Sequence, residues 1–181
     1  MFYIYSMSVI MVDIEADGPI PGDYSMISFG AVIVEPSLTR TFYGKLKPMS
    51  DIWIPEALAV SGFSREETLE FDDPKEVMTN FKEWVLANTK GKAKFWADNN
   101  GFDYMFTHWY FEHFLGVRSD PFGWTSENIN SWYKGCVRNA HKNMKHLRKR
   151  KHTHNPVDDA VGNAEALLTM KEKFNLKIPL D

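Results

Sequence analysis

The run Val9-Ile10-Met11-Val12 is apolar at successive positions and therefore on both faces of a strand, as in the middle of a sheet. Immediately after it the pattern alternates, and Asp13 and Glu15 fall on one face with Ile14 on the other. The apolar stretch 1–12, MFYIYSMSVIMV, is read as part of this first strand. A turn-rich connection, DGPIPGDYS, leads to a second strand in MISFGAVIVE, and the turn PSLTR leads to a third in TFYGKLKP. Three strands with short connections predict an antiparallel meander.

Helical spacing dominates from there. IPEALAV is followed by Ser64 with Glu67 three residues on, a capping-box pattern. In DPKEVMTNFKEWVLANTKG, Pro74 stands near the start, Val77, Phe81, Trp84 and Val85 recur at helical spacing, and Gly91 stands just past the end. KAKFWA resumes strand, FDYMFTHWYFEHFLG is a helix stopped at Gly116, and a short extended piece is expected near DPFGW. SENINSWYKGCVRNA reads as helix, and NPVDDAVGNAEALLTMKEKF as a last helix with Asn155 as N-cap and Pro156 as its first residue. The Ala/Gly-rich interior of that helix suits close packing. The expected class is α/β, a mixed sheet in which the meander is extended by parallel strands and flanked by helices.

Composition narrows the class without naming a chemistry. The chain has 181 residues, 44% hydrophobic and 25% charged, which fits a single globular domain over residues 1–181. Cys136 is the only cysteine, so there is no internal disulfide and no thiolate cluster for zinc, and a reducing, cytoplasmic setting is expected. No stretch approaches the ~20 apolar residues of a membrane span. The net charge of −3 conceals an asymmetry, because RNAHKNMKHLRKRK (138–151) carries 7 of the 21 Lys and Arg. That run can serve an anionic partner if it lies beside the site, and it is expected to be a mobile loop with nothing to bury.

The acids carry the chemistry. Asp13 and Glu15 lie about 6.7 Å apart along one strand face. Two unit charges about 6 Å apart in an effective dielectric of about 20 repel by about 3 kcal/mol, and a divalent cation would turn that repulsion into binding. Alone, such a pair reads as two acids at a wet strand end, where no cation is needed. Asp103, at a strand-to-helix junction, would alone be an ordinary acid stabilised by the helix dipole. In HNPVDDA, Asp159 lies in the first full turn of the last helix and His154 just before it, so both can point to one spot, while Asp158 projects about 100° away.

Together these residues resemble the DEDDh group of 3'-5' exonucleases. The group's pattern is D-x-E on the first strand, an Asp after Phe at a later helix start, and H-x4-D on the last helix. The matches are Asp13 and Glu15 in VDIEADG, Asp103 in NGFDYMF, and His154 with Asp159 in HNPVDDA. AVSGFSREE also resembles the segment between the family's first two motifs, with Ser61 where a His is usual. Asp98 and Asn99 stand where the family often has His-Asn, and DGPIPGDYS lengthens the turn after the first motif.

The resemblance implies an RNase H-like sheet with the four acids around two divalent cations, Mg2+ or Mn2+. Asp13 would bridge both, Glu15 and Asp159 would hold the one carrying the nucleophilic water, and Asp103 would act on the other. His154 would be the general base, and 5'-mononucleotides would leave one at a time from a 3' end. The expected partner is DNA or RNA, single-stranded or with a frayed 3' end, and relatives of this kind are commonly homodimers. Lys149, Arg150 and Lys151 are candidates for phosphate contacts. Phe63 and Phe102, with Tyr104 and Trp109 behind them, are candidates for stacking on terminal bases at roughly 1 to 3 kcal/mol per base. The competing readings are a non-catalytic nucleic-acid-binding module and an endonuclease on the same fold.

Overall fold

The computed structural model describes residues 7–178 and 180; the first six residues of the expected opening strand lie outside them. Five strands, β1 (Met7–Ala16), β2 (Met26–Ile33), β3 (Thr41–Lys45), β4 (Lys92–Ala97) and β5 (Ser126–Asn128), form one sheet in the order β3-β2-β1-β4-β5. β1, β2 and β3 are the antiparallel meander, and β4 and β5 extend it in parallel on the other side of β1. This is the expected mixed sheet. The helices are α1 (Pro55–Val60), α2 (Arg65–Thr68), α3 (Pro74–Asn88), α4 (Asn100–Leu115), α5 (Ile129–Val137) and α6 (Pro156–Phe174). No helix among the described residues is long and apolar enough to cross a membrane.

The run through Val12 is apolar on both faces because β1 is central and covered twice. Ile10, Val12 and Ile14, with Phe29, Ala31 and Ile33 of β2, pack against Val77 and Phe81 of α3 and Phe106 and Phe111 of α4. On the opposite face Val9, Met11, Val32 and Trp96 meet Ile129 and Tyr133 of α5 and Ala160, Ala164 and Leu167 of α6. Each fully buried large side chain contributes about 1.5–3 kcal/mol.

Two helix starts follow their sequence signals. Ser64 and Glu67 form the reciprocal capping box. The Asn155 side chain accepts from the backbone N–H groups of Val157 and Asp158 at 3.1 and 3.3 Å, with Pro156 as the first residue of α6. Small residues let α6 lie close to the sheet. At Gly30 of β2 an added Cβ would stand 2.3 Å from the carbonyl carbon of Pro156 and from the nitrogen of Val157.

Two expectations need correction. The extended piece expected near DPFGW falls at Ser126–Asn128, and helix α5 starts only at Ile129. The side chain of Asn128 accepts from Ser131 N–H at 2.7 Å and caps α5 there. The basic run 138–151 is also not free of buried groups. Met144 is fully buried, a 3-10 turn spans Lys145–Leu147, and the Arg148 side chain is only 5% exposed. The reason is that a long arginine stem covers apolar surface while its head finds fixed partners. Gly162 leaves the room, since a Cβ there would meet the stems of Arg150 and Arg148 at 3.2 and 3.5 Å.

Candidate active site

The site forms where β1 outruns its neighbour. Pairing with β4 ends at Met11↔Trp96, while pairing with β2 continues to Ala16 through an irregularity between Glu15 and Ala16. Asp103, in the first turn of α4, fills the opening, and its Oδ1 accepts from Ile14 N–H at 3.3 Å. Gly30 stands opposite Asp13 in the register, and the close approach of α6 at that point brings Asp159 over the same strand end. All four acids are buried, Asp159 to 1% exposure.

Single carboxylate oxygens of Asp13, Glu15 and Asp159 lie within 4.8 Å of one another. Burial pushes the Asp13 carboxyl well above the usual range, and the charges of Asp103, Asp98, Glu15 and Asp159 add to it. Burial, then Asp159, pushes Glu15 up to about 7. Asp103 is raised by burial and by Asp98, against hydrogen bonds from backbone N–H groups that favour its charged form. Its Oδ2 is buried with no hydrogen-bond partner among the described residues. An orphaned carboxylate oxygen beside three convergent carboxylates is the donor set that a hard divalent cation completes. The four acids could therefore hold metal.

The loop before α6 is built around Asp159. Its Oδ1 accepts from Thr153 N–H at 3.1 Å and its Oδ2 from His154 N–H at 2.8 Å. His154 takes a left-handed φ of 60°, an uncommon conformation for a non-glycine residue and one that clusters at functional sites. Its half-exposed ring places Nδ1 3.6 Å from Glu15 Oε1. The neighbouring His152 places Nδ1 2.9 Å from Asp159 Oδ1, and the two imidazole centroids are 4.3 Å apart.

Beside Glu15 opens a cavity of about 410 Å3, its wall mostly apolar and made by Ala16, Gly18, Pro19, Ile54, Ala57, Val60 and Phe102. Asp17 shapes it. The fully buried Asp17 carboxylate accepts from Ser25 N–H and pairs with Arg65 at 3.0 Å, and its carbonyl accepts from Ile54 N–H.

The other expected contact residues are spread out. Phe63 packs edge-on against Phe71 beneath the Lys45 ammonium and does not line the cavity. Tyr104 donates to the Gly123 carbonyl and to Asp120, and Trp109 stacks on His113. Lys149 and Lys151 are exposed. Arg150 pairs with Glu165 at 3.2 Å and Asp158 at 3.4 Å.

The acids and His154 lie close together, the arrangement that the family resemblance implies, and several neighbours carried no comparable signal. Asp98 sits at the end of β4, and its charge acts on both Asp13 and Asp103. Arg148 reaches Asp98 at 3.1 Å and Asn163 at 2.9 Å, a contact across 50 residues that no local pattern announces. The sequence marked Asp98 only as the acid standing where a histidine is usual. The walls from α1 and the Asp17–Arg65 pair were equally silent.

The geometry agrees with what known proteins resemble this chain. A family model described as a 3'-5' exoribonuclease Rv2179c-like domain matches residues 8–170. The chain is 42% identical over 131 residues to the 3'-5' DNA exonuclease Cap18 of Escherichia coli, covering 70% of this chain and 67% of that protein. Among solved structures it is similar to the nuclease domain of 3'hExo, a DEDDh family member bound to rAMP, with a TM-score of 0.77, 17% identity and 97% of each chain covered. It is also similar to E. coli exonuclease I in complex with a dA16 oligonucleotide, with a TM-score of 0.73 and 17% identity over 92% of this chain and 41% of that one. At such identities the structural likeness speaks for the fold, and the sequence matches speak for the family. The chain belongs to the 3'-5' exoribonuclease Rv2179c-like domain family and is a 3'-5' exonuclease.

Proposed function

We propose that this exonuclease removes 5'-mononucleotides one at a time from the 3' end of single-stranded DNA or RNA, as one domain over residues 1–181 in a cytoplasmic setting. The observation that carries the reading is the convergence of single carboxylate oxygens of Asp13, Glu15 and Asp159 within 4.8 Å of one another, with Glu15 also lining an apolar cavity. These three residues and Asp103 would hold two divalent cations, Mg2+ or Mn2+, which when bound supply the charge that stabilises the attacking and leaving oxygens of a phosphodiester.

The rest of the reaction is done by the chain. His154 acts as general base on the attacking water, its half-exposed imidazole standing with Nδ1 3.6 Å from Glu15 Oε1. The cavity receives the 3'-terminal nucleoside, with Phe102 against the base and Ile54, Ala57 and Val60 excluding water. Phe63 stacks farther out. Lys149, Arg150 and Lys151 meet phosphates upstream, Arg150 exchanging its exposed carboxylate partners for them. A duplex end must fray to bring its last nucleotide down to buried carboxylates, which favours single strands. The exonuclease acts as a homodimer.

The family description names RNA and the E. coli relative is named for DNA. Matched oligoribonucleotides and oligodeoxyribonucleotides, each 3'-labelled or 3'-blocked, are therefore incubated with Mg2+, Mn2+ or EDTA. Expected is stepwise release from free 3' ends only, abolished by EDTA. His154→Ala should slow release by about 10²–10⁴-fold while metal affinity stays near wild type. Internal cleavage of blocked substrate, or near-wild-type release by His154→Ala, would overturn the reading.

A further inference from the structure

The pair of imidazoles at the mouth of the site does more than a single general base requires. His152 has no part in the proposed reaction, yet its Nδ1 lies 2.9 Å from Asp159 Oδ1. One ligand atom each from His152, His154 and Asp159 lies within 4.8 Å of the other two. This group shares only Asp159 with the all-carboxylate group. Two imidazole nitrogens and one carboxylate oxygen suit a borderline ion such as Zn2+, where an all-oxygen set suits Mg2+.

We propose that His152, His154 and Asp159 form a zinc site that silences the exonuclease. The proposal rests on His154 being the base, as argued above. Asp159 is the fixed ligand, buried and oriented by the N–H groups of Thr153 and His154. The two rings are the adjustable ones, with side chains 43% and 49% exposed. Ligands held about 2.0–2.2 Å from a tetrahedral zinc stand about 3.3–3.5 Å apart. His152 and Asp159, at 2.9 Å, therefore open by a few tenths of an ångström, and the other separations, at most 4.8 Å, close by up to about 1.5 Å, which exposed side chains on one short loop can do. The fourth position falls to water or to Glu15, already 3.6 Å from His154 Nδ1.

A zinc ion there removes two things at once. It occupies the imidazole lone pair that would accept the proton from water, and it withdraws Asp159 from the carboxylate set. Rising zinc would thus stop nucleotide release without unfolding the protein.

The test titrates Zn2+ alone into the metal-free full chain against a chromophoric chelator, for wild type, His152→Ala and Asp13→Asn. Co2+, read by visible absorption, reports four-coordinate nitrogen ligation in the same three proteins. Expected is one tight zinc equivalent in wild type, binding at least tenfold weaker in His152→Ala, and affinity within about threefold of wild type in Asp13→Asn. At fixed Mg2+, the zinc concentration that halves nucleotide release should rise at least tenfold in His152→Ala, each protein being scaled to its own zinc-free rate. Zinc bound equally by His152→Ala, or lost in Asp13→Asn, places the ion among the carboxylates and overturns the proposal. Zinc bound without inhibition overturns the silencing. Absence of any Mg2+-supported release in wild type defeats the exonuclease reading instead, and the chelator titration still decides the site.

Discussion

Gly30→Ala tests whether the seat of α6 on the sheet sets the position of Asp159. The added methyl would lie 2.3 Å from the Pro156 carbonyl carbon and the Val157 nitrogen, and 2.4 Å from the Pro156 oxygen. All three are backbone atoms, so no flexible side chain can swing aside. Ordinary contact begins at 3.4 Å, so the start of α6 must move by about 1 Å. Overpacking of this kind costs about 1–3 kcal/mol, or roughly 2–12 °C in Tm for a domain of this size. Asp159 lies in the same helical turn, and a 1 Å misplacement originating away from the chemistry can cost about 100-fold in rate. The assay is Mg2+-supported nucleotide release alongside thermal unfolding, with Gly135→Ala as control because nothing lies within 4 Å of its added Cβ. Activity within twofold of wild type together with an unchanged Tm would refute this account of how the helix is placed.

Three further outcomes follow from the same site. With Glu15 raised from 4.5 to about 7, the folded metal-free protein binds a proton that the unfolded chain releases at lower pH. That contribution, about 3 kcal/mol, is fully present below pH 4.5 and lost as pH rises through about 7, and burial of Asp13 and Asp103 acts in the same sense. Melting scans without metal should show Tm falling across this window, and saturating Mn2+ should restore it most at the alkaline end; a flat metal-free profile contradicts the burial argument. Asp103→Asn keeps an acceptor for Ile14 N–H and removes a buried charge, so metal-free Tm at pH 8 should rise while nucleotide release drops by at least about 100-fold, measured on one preparation. Arg148→Met leaves the Asp98 carboxylate unpaired beside Asp13 and Asp103 and should cost about 3 kcal/mol in urea unfolding, the lower end for a broken buried pair because Asp98 keeps 19% exposure. Adding Asp98→Asn should recover most of that loss, and an additive double mutant would show that the pair is not coupled.

Legibility in the sequence tracked the range of the interaction. β1, α3, β4 and α6 were readable because periodicity, capping residues and prolines act within a few positions, and α6 begins at the Pro156 its signal named. Asp13 with Glu15, and His154 with Asp159, were readable as pairs because strand alternation and the first helical turn fix which neighbours share a face, while the meeting of all four acids was legible only through the family pattern. The seat beneath Asp159 was not, since Gly30 and Pro156 meet across more than a hundred residues and nothing near either names the other. Arg148 failed for a related reason. A cluster of seven cations reads as solvated, and only the fold shows that one of them reaches Asp98 and Asn163. β5 was misplaced because a three-residue edge strand carries too few side chains to establish a period.

The carboxylate of Asp159 accepts N–H groups from residues 153 and 154, and this makes the segment 152–159 a locally braced cassette. Its turn and its ligand are held by bonds within the segment, while His154 also meets Glu15, His152 meets Arg148 and Asp158 meets Arg150. Loop residues from 138 up to the Arg148 anchor can therefore be exchanged without touching the bonds that hold Asp159. A graft that cuts inside the cassette would disturb ligand and turn together, so swaps between relatives should join on the N-terminal side of His152.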